Sequence, residues 1–569
     1  MLRLPARLAR TQLSRASRQL STASSAPLTK LVSTIGPASE EAEPLAGCVA
    51  AGMNVMRVNF SHATKDEFHL RRTNLRAAPG GEYVAVMLDT KGPEIRMGGL
   101  KVCKETGNRK AKMKLTTGQT LTLTNDKAFD GAGDERTIYV DYPRLAEVVE
   151  PGTTVLLDDG LISLEVVSAA DGKVTTTVLN SSEIGERKGV NIPGVVTGLP
   201  AMSDKDLEDI SFGIEHDIDM VAASFVRNAA GVHQIREHIL KCHEKYAANG
   251  GMDTPPPMII SKIESTEALD NLAEIIEASD GIMVARGDLG VEVPLEKVVT
   301  WQKDIVAMTL AAGKPVVVAT QMLETMQKNP RPTRAEVADV TNAVLDGADA
   351  VMLSGESANG LYPTESVAMQ ARIVAEAEAW ASARGLAPGG VEPQLAPVSR
   401  SISATESDFD EDQEEEEMYR RELTIPDSMS AAACFLAARV GARAIVVFED
   451  GWGETARNVS KFRPTVPIAA LCDSLKVCRQ LSISRGVVPL LVEPQPEIAG
   501  DQPEGEDEFR NDMFSLDTLD ASDACSLVAE RTGLLEPGDL AIVLVGETIS
   551  VEVVMEPMEW EGDEAERKP

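Results

Sequence analysis

Eight times between residues 31 and 353, a short β-rich apolar run breaks off into polar residues and a helical stretch follows. The runs occupy residues 31–35, 54–58, 84–88, 220–224, 258–263, 282–285, 315–319 and 350–353. Runs that are apolar throughout belong to strands buried on both faces, as in a parallel sheet covered by helices. Eight strand–helix units are the number that closes a (β/α)8 TIM barrel. An open doubly wound sheet shows the same local alternation, so the count alone leaves both architectures standing.

The third and fourth runs lie about 130 residues apart, and the chain between them has another character. KMKLTTGQTLTLTND, TIYVDY, TVLLDDGLISLEVV and KVTTTVLN alternate apolar with polar, with Gly and Asp-Gly turns between them. Period two with hairpin turns predicts a small all-β domain. Residues 93–193 are therefore expected to form an inserted β-barrel lid, and 27–92 with 194–388 the barrel beneath it. A lid placed after the third strand can close over the barrel mouth.

Beyond the barrel, LAPGGVEPQLAPVSR opens a linker, residues 389–427, that contains nine acids between positions 406 and 417. Strand–helix alternation then resumes, with a helix at 428–440 and strands at 444–448, 466–471, 487–492 and 540–545. This predicts a separate C-terminal α/β (doubly wound) domain over 428–558, followed by a tail, 559–569. A second acidic insert, near 493–515, holds eight acids against one Arg between 493 and 512. Like charges repel and bury nothing, so both stretches read as solvated loops, or as docking sites for a basic partner.

The first 39 residues contain no Asp or Glu, although the whole chain has 89 acids against 55 Lys and Arg. Arg3, Arg7, Arg10, Arg15 and Arg18 accompany Leu2, Leu4, Leu8 and Leu13 at helical spacing, and STASSAP follows. This is the composition of a transit peptide, expected over residues 1–26 and addressed to the mitochondrial matrix, with plastid and cytosol as alternatives. The formal charge of −34 repels phosphate backbones, which excludes nucleic acid as a partner. No run approaches about 18 apolar residues, so no membrane-spanning helix is expected. Seven scattered Cys, never spaced CxxC, offer neither a disulfide framework nor a zinc site.

In such barrels chemistry gathers at the C-terminal strand ends. Run two ends in Arg57, Asn59, Ser61 and His62, and run three in Asp89, Thr90, Lys91, Glu94 and Arg96. Run five ends in Lys262 and Glu264, run six in Arg286, Gly287 and Asp288, run seven in Thr320 and Gln321, run eight in Ser354, Glu356 and Ser357. Lys262 and Glu264 are two apart and share a face. Carboxylates from adjacent strands suit Mg²⁺, with substrate and water completing its shell, and Mn²⁺ is the alternative. Arginines and a lysine around them make a site for a phosphorylated, carboxylate-bearing anion. No Walker A motif is present, so a nucleotide is not held by a P-loop.

MNVMRVNFSH, LDTKGPEIR, DDGLISL, IISKIE, GIMVARGDLG, KPVVVATQMLE and RPTRAEVADVTNAVLDGADAVMLSGES resemble the signature segments of the pyruvate kinase family nearly letter for letter. The likeness covers about residues 28–384 and weakens in the last domain. It implies phosphoryl transfer from phosphoenolpyruvate to ADP, giving pyruvate and ATP, the final step of glycolysis, by a homotetramer. It also implies that Glu264 and Asp288 hold Mg²⁺, that Lys262 stabilises the phosphoryl group and the developing enolate, and that Arg57, Gly287, Asp288 and Thr320 grip phosphoenolpyruvate. Asn59, Ser61, Asp89 and Thr90 resemble a K⁺ site. Asn59, Phe60, Ser61, His62, Arg96 and Lys205 would contact ADP, and Thr320, Ser354 and Glu356 would relay a proton to the enolate. Glu94 resembles the K⁺-dependent type of the family, whereas Met97 stands where Thr is more usual.

The last domain departs further. Where many relatives bind a phosphorylated sugar in a Ser/Thr/Gly loop, this chain reads FEDGWGET over residues 448–455, with three acids and no Lys or Arg. Those charges oppose a bisphosphate, so no sugar-bisphosphate activation is expected. Two competing readings are a Mg²⁺-dependent lyase or aldolase acting through a pyruvate enolate and a regulatory relative whose acidic inserts bind partners. The first would not need Arg96, Lys205 and a lid. The intact Lys262, Glu264, Asp288 and Thr320 argue against the second.

Overall fold

The computed structural model describes residues 27–248, 254–386, 424–449, 451–492, 516 and 519–555. The expected transit peptide, most of the 389–427 linker, the 493–515 acidic insert and the tail lie outside the described residues. Eight parallel strands close into a barrel in sequential order: β1 (Lys30–Thr34), β2 (Val55–Asn59), β3 (Ala85–Asp89), β4 (Met220–Ala223), β5 (Met258–Ile263), β6 (Gly281–Ala285), β7 (Val316–Ala319) and β8 (Ala350–Leu353). Closure leaves no edge, which decides against the open sheet. Every residue of β3, β4, β5, β6, β7 and β8 is buried, as expected for strands packed on both faces.

The barrel floor is stitched by a repeated device. Asn54, Asp219, Asp280 and Asp349 each precede an even-numbered strand, and each side chain accepts from the backbone N–H of the preceding odd strand: Leu31, Val86, Ile259 and Val316. Each of these four residues also donates its own N–H to the carbonyl of that same partner. The last loop residue before each even strand thus ties that strand's start to its odd neighbour.

The lid is inserted between β3 and β4. It has a six-stranded sheet and a separate two-stranded pair, and residues 95–98 bridge the two edges of the sheet, to Gly189 and Val190 on one side and to Tyr139 and Val140 on the other. Short helices at Lys101–Thr106 and Leu145–Val148 join the strands. Leu121, Leu123, Ile162, Leu164, Val174 and Val178 point inward from alternating positions into its core.

The C-terminal domain has a five-stranded sheet: β9 (Ala444–Glu449), β10 (Ile468–Cys472), β11 (Val487–Leu491), β12 (Leu540–Val545) and β13 (Thr548–Val553), in the order β11-β10-β9-β12-β13. Four strands run parallel and β13 is antiparallel at the edge. Successive residues of β9 enter opposite cores, Ile445 and Val447 one, Ala444 and Val446 the other. The domain docks on the barrel floor. Lys476 and Arg479 meet Asp217 and Asp219, Arg463 meets Asp349, and Ile483 inserts among barrel-interior side chains.

Candidate active site

At the opposite, C-terminal end of the barrel, β5 delivers Lys262 and Glu264 to one face. Lys262 is only 8% exposed. Its Nζ lies 2.8 Å from Glu264 Oε1 and 3.3 Å from Asp89 Oδ1, and donates to Ser224 Oγ at 2.8 Å. Burial works against the ammonium, but the Asp89 and Glu264 carboxylates outweigh it and hold the Lys262 pKa above the ordinary lysine value. Burial likewise works against the Asp89 carboxylate. Arg57 and Lys262 overcome it and keep the group below its usual range. Arg57 Nε donates to Asp89 Oδ2 at 2.7 Å and its Nη1 to Thr34 Oγ1 at 2.8 Å. Arg57, Lys262, Asp89 and Glu264 are therefore buried together at one mouth.

Asp288 enters beside them from the helix Arg286–Glu292 that follows β6. Burial, then the charge of Glu264, pushes its carboxyl up to about 8. Glu264 Oε2 accepts from the Phe225 N–H at 2.5 Å, whereas Oε1, though close to Lys262, has no aligned hydrogen-bond donor. Two adjoining carboxylates in mutual conflict, one oxygen lacking a donor, form a set that a hard divalent cation satisfies. Among the described residues no three or more His, Cys, Asp or Glu side chains are gathered as metal ligands. A cation that draws its other ligands from substrate and water does not need them.

Thr320 is left-handed (φ 73°), as is Gln321 (φ 54°), a conformation uncommon for non-glycine residues and typical of functional sites. The turn is enforced by neighbours. Gly287 N–H donates to Thr320 Oγ1 at 2.7 Å, and Arg286 Nη2 donates to the Thr320 carbonyl at 2.6 Å. Arg286 is thus turned away from the mouth, its Nη1 paired with Asp339 at 2.7 Å, and supports the turn from below. Glu356 also differs from the role the sequence suggests. It is wholly buried, and its two oxygens accept from the backbone N–H groups of Leu323, at 3.0 Å, and Ser354, at 2.8 Å. With both oxygens engaged in shaping the β7 and β8 loops, it is a positioning group rather than a proton donor at the mouth. Ser354 stays at the rim, half-buried.

Asn59 and Asp89 are register partners at the ends of β2 and β3, and Thr90 follows directly. Asn59 Oδ1 accepts from Ser61 N–H at 2.9 Å, which folds residues 59–62 back over the rim. The Phe60 side chain is buried, and its carbonyl accepts from Lys205 Nζ at 3.0 Å. Lys205 also pairs with Asp209. The exposed His62 and Lys205 therefore share one surface. Arg96 lies across from it on the lid side, its Nε 2.5 Å from Glu94 Oε2 and its Nη1 donating to the Arg187 carbonyl at 3.0 Å. Met97 is buried in the lid core.

A cleft between lid and barrel is lined by Glu94, Arg96, Asp159, Lys188 and Asn191 on one side and by Arg227, Glu264, Asp288 and Glu292 on the other. Ser224, Lys188 and Arg227 are residues that motif reading does not single out, and Asp158 and Asp159 enter it only within the DDGLISL segment. Ser224 reads as the polar stop of an apolar run, and the lid residues face the barrel only because the two domains pack together. The one sequence signal is the pair Asp158-Asp159 before Gly160, where both aspartates take φ above +50°. In the C-terminal loop, buried Glu449 accepts from the Ala456 N–H in the first turn of the helix Glu454–Lys461.

Residues 26–367 match the pyruvate kinase barrel domain and residues 427–554 the pyruvate kinase alpha/beta domain. The chain is similar to pyruvate kinase PKLR of Homo sapiens, with 39% identity covering 91% of this chain and 82% of the relative. It is also similar to a pyruvate kinase of Dictyostelium discoideum, with 42% identity over 82% and 84% of the two chains. Among solved structures, a pyruvate kinase from Cryptosporidium parvum superimposes with a TM-score of 0.76 at 35% identity, covering 95% of this chain and 97% of that one.

Proposed function

The chain belongs to the pyruvate kinase family, and from that premise we propose how its residues transfer a phosphoryl group between phosphoenolpyruvate and ADP. The observation that carries the assignment is the buried Lys262, charged between Asp89 and Glu264 and tied to Ser224, beside Asp288 and under the lid. Phosphoryl transfer asks a protein for positioning and charge stabilisation rather than covalent chemistry, and a locked ammonium supplies both.

Arg57 and Lys262 grip the phosphoryl and carboxylate oxygens of phosphoenolpyruvate, and Thr320 closes over it from the strained turn. Glu264 and Asp288 hold Mg²⁺ or Mn²⁺. Bound there, the cation supplies charge neutralisation for phosphoryl and enolate oxygens. Asn59, Ser61, Asp89 and Thr90 offer the all-oxygen set a hard monovalent cation requires. Residues 59–62 with Lys205 form the ADP surface on the barrel, and Arg96 meets the nucleotide from the lid. With Glu356 committed to backbone groups, the hydroxyls of Thr320 and Ser354 would relay a proton from water to the enolate.

The test is pyruvate formation from phosphoenolpyruvate and ADP by the chain lacking residues 1–25, with Mg²⁺, comparing K⁺ with Na⁺. Turnover that rises with K⁺ supports the reaction and the cation site together. A folded protein with no turnover in either salt returns the lyase and regulatory readings to the front. The Glu94→Lys variant is expected to lose most of its K⁺ activation, because an ammonium beside Arg96 brings its own charge to the rim. Unchanged K⁺ activation in that variant refutes the role given to Glu94.

Fructose bisphosphate is expected to leave the KM for phosphoenolpyruvate unchanged. The helix N-terminus that could receive a phosphate already holds a carboxylate of its own chain, Glu449, and like charge repels the ligand. A clear fall in that KM on adding the sugar overturns the expectation.

A further inference from the structure

Both linkers of the lid come to rest on one short stretch of the barrel, residues 224–227 after β4. On the entry side, Gly92 (φ +73°) packs so closely that a Cβ there would lie 2.8 Å from Ser224 Cβ and 2.7 Å from Phe225 Cδ2. On the exit side, Arg227 Nη2 donates to the Leu199 carbonyl and, at 2.9 Å, to that of Pro200. Arg227 is itself braced. Its side chain is only 12% exposed, its Nε lies 3.8 Å from Glu267, and its own carbonyl accepts from Asn271 Nδ2 at 2.9 Å.

Two residues before Leu199, the exit linker belongs to the lid instead, since Tyr142 Oη donates to the Thr197 carbonyl. Between these anchors stands Gly198, left-handed at φ +61°. The chain is thus fastened to the lid at Thr197 and to the barrel at Leu199 and Pro200, with a glycine as the one joint between them. A hinge needs such a permissive residue flanked by fixed ones.

The same stretch holds the reacting groups. Ser224 Oγ accepts from Lys262 Nζ, and Phe225, itself left-handed at φ 53°, donates its N–H to Glu264 Oε2. We propose that Arg227 is the positioning residue of the lid. It fixes the barrel side of a hinge at Gly198, and through residues 224–227 it ties the lid's angle to Lys262 and Glu264. This rests on the cleft being where the nucleotide is taken between lid and barrel. Phosphoenolpyruvate, gripped by Arg57, Lys262 and Thr320 of the barrel, meets that stretch only through Lys262 and depends on it far less.

The experiment compares the wild-type chain with Arg227→Lys and Arg227→Gln. The KM for ADP is expected to rise about tenfold or more in Arg227→Gln, the weight of charge-assisted hydrogen bonds lost. A smaller rise is expected in Arg227→Lys, which keeps the charge but loses the fork that reaches two carbonyls. Phosphoenolpyruvate binding, measured by calorimetry without ADP, should stay within about twofold of wild type, and hydrogen exchange at residues 195–200 should quicken in both variants. Equal rises for both substrates, or unchanged exchange at the linker, overturn the proposal. If Arg227→Gln does not fold, Arg227→Lys decides. If wild type makes no pyruvate, the reading of the site fails, and exchange at 195–200 still settles the hinge on its own.

Discussion

Replacing Lys262 with Met is expected to lower kcat by at least about 10²–10³-fold, the weight of one preorganised donor at developing negative charge. The argument rests on where the ammonium sits. Asp89, Glu264 and Ser224 fix it on three sides, so it is already oriented before charge develops and needs no reorganisation during reaction. Methionine keeps much of the length and bulk but brings no charge and no donor. Arg57 still compensates Asp89 at 2.7 Å, which keeps the mouth assembled, whereas Glu264 and Asp288 lose their shared counter-charge. The loss should therefore fall mainly on kcat, with a modest decrease in Tm. Lys262→Arg should recover only part of the rate, because a planar fork cannot occupy a point-charge position between three partners. Steady-state kinetics on the two variants decide the matter. A Lys262→Met enzyme retaining more than about a tenth of wild-type kcat removes Lys262 from the chemistry.

Lys262 and Glu264 were legible because a strand's period of two puts alternate residues on one face, a local rule that long-range packing does not alter. The eight barrel strands were legible for a related reason. Continuous apolar burial leaves no competing period, and their bounds agree with the sequence reading to within a residue or so. Strand β13 was not legible. Its residues are exposed or half-buried, Val551 and Val553 among them, so no pattern of burial marks it. Glu356 misleads for an instructive reason. A carboxylate just past a strand end looks the same in sequence whether it faces substrate or folds back onto Leu323 and Ser354. Arg286 misleads in the same way. In the lid half of the cleft only Glu94, Arg96 and the Asp158-Asp159 pair left a local signal, since Lys188 meets Arg227 of the barrel side only through the packing of one domain on another.

The largest stability effect is expected far from the mouth, at Arg463. Its side chain is 1% exposed and donates to both oxygens of Asp349, at 3.0 and 2.7 Å, and to the Gly347 carbonyl at 3.0 Å. Asp349 in turn receives the N–H groups of Val316 and Arg485, so one carboxylate joins β7, the start of β8 and the C-terminal domain. Removing one partner of a buried pair leaves the other charge desolvated, which typically costs about 3–5 kcal/mol. Arg463→Leu should therefore lower the first unfolding transition by about that amount. An exposed pair such as Lys101–Glu105 should contribute under about 1 kcal/mol. Because the chain has several domains, the comparison belongs to the transition that separates the C-terminal domain from the barrel, not to a single two-state fit. Adding Asp349→Asn to Arg463→Leu should restore part of the loss, since the stranded charge goes with it. Were Arg463→Leu to cost less than about 1 kcal/mol, the polar floor would be incidental. Docking would then rest on the apolar contact of Ile483 with the barrel interior.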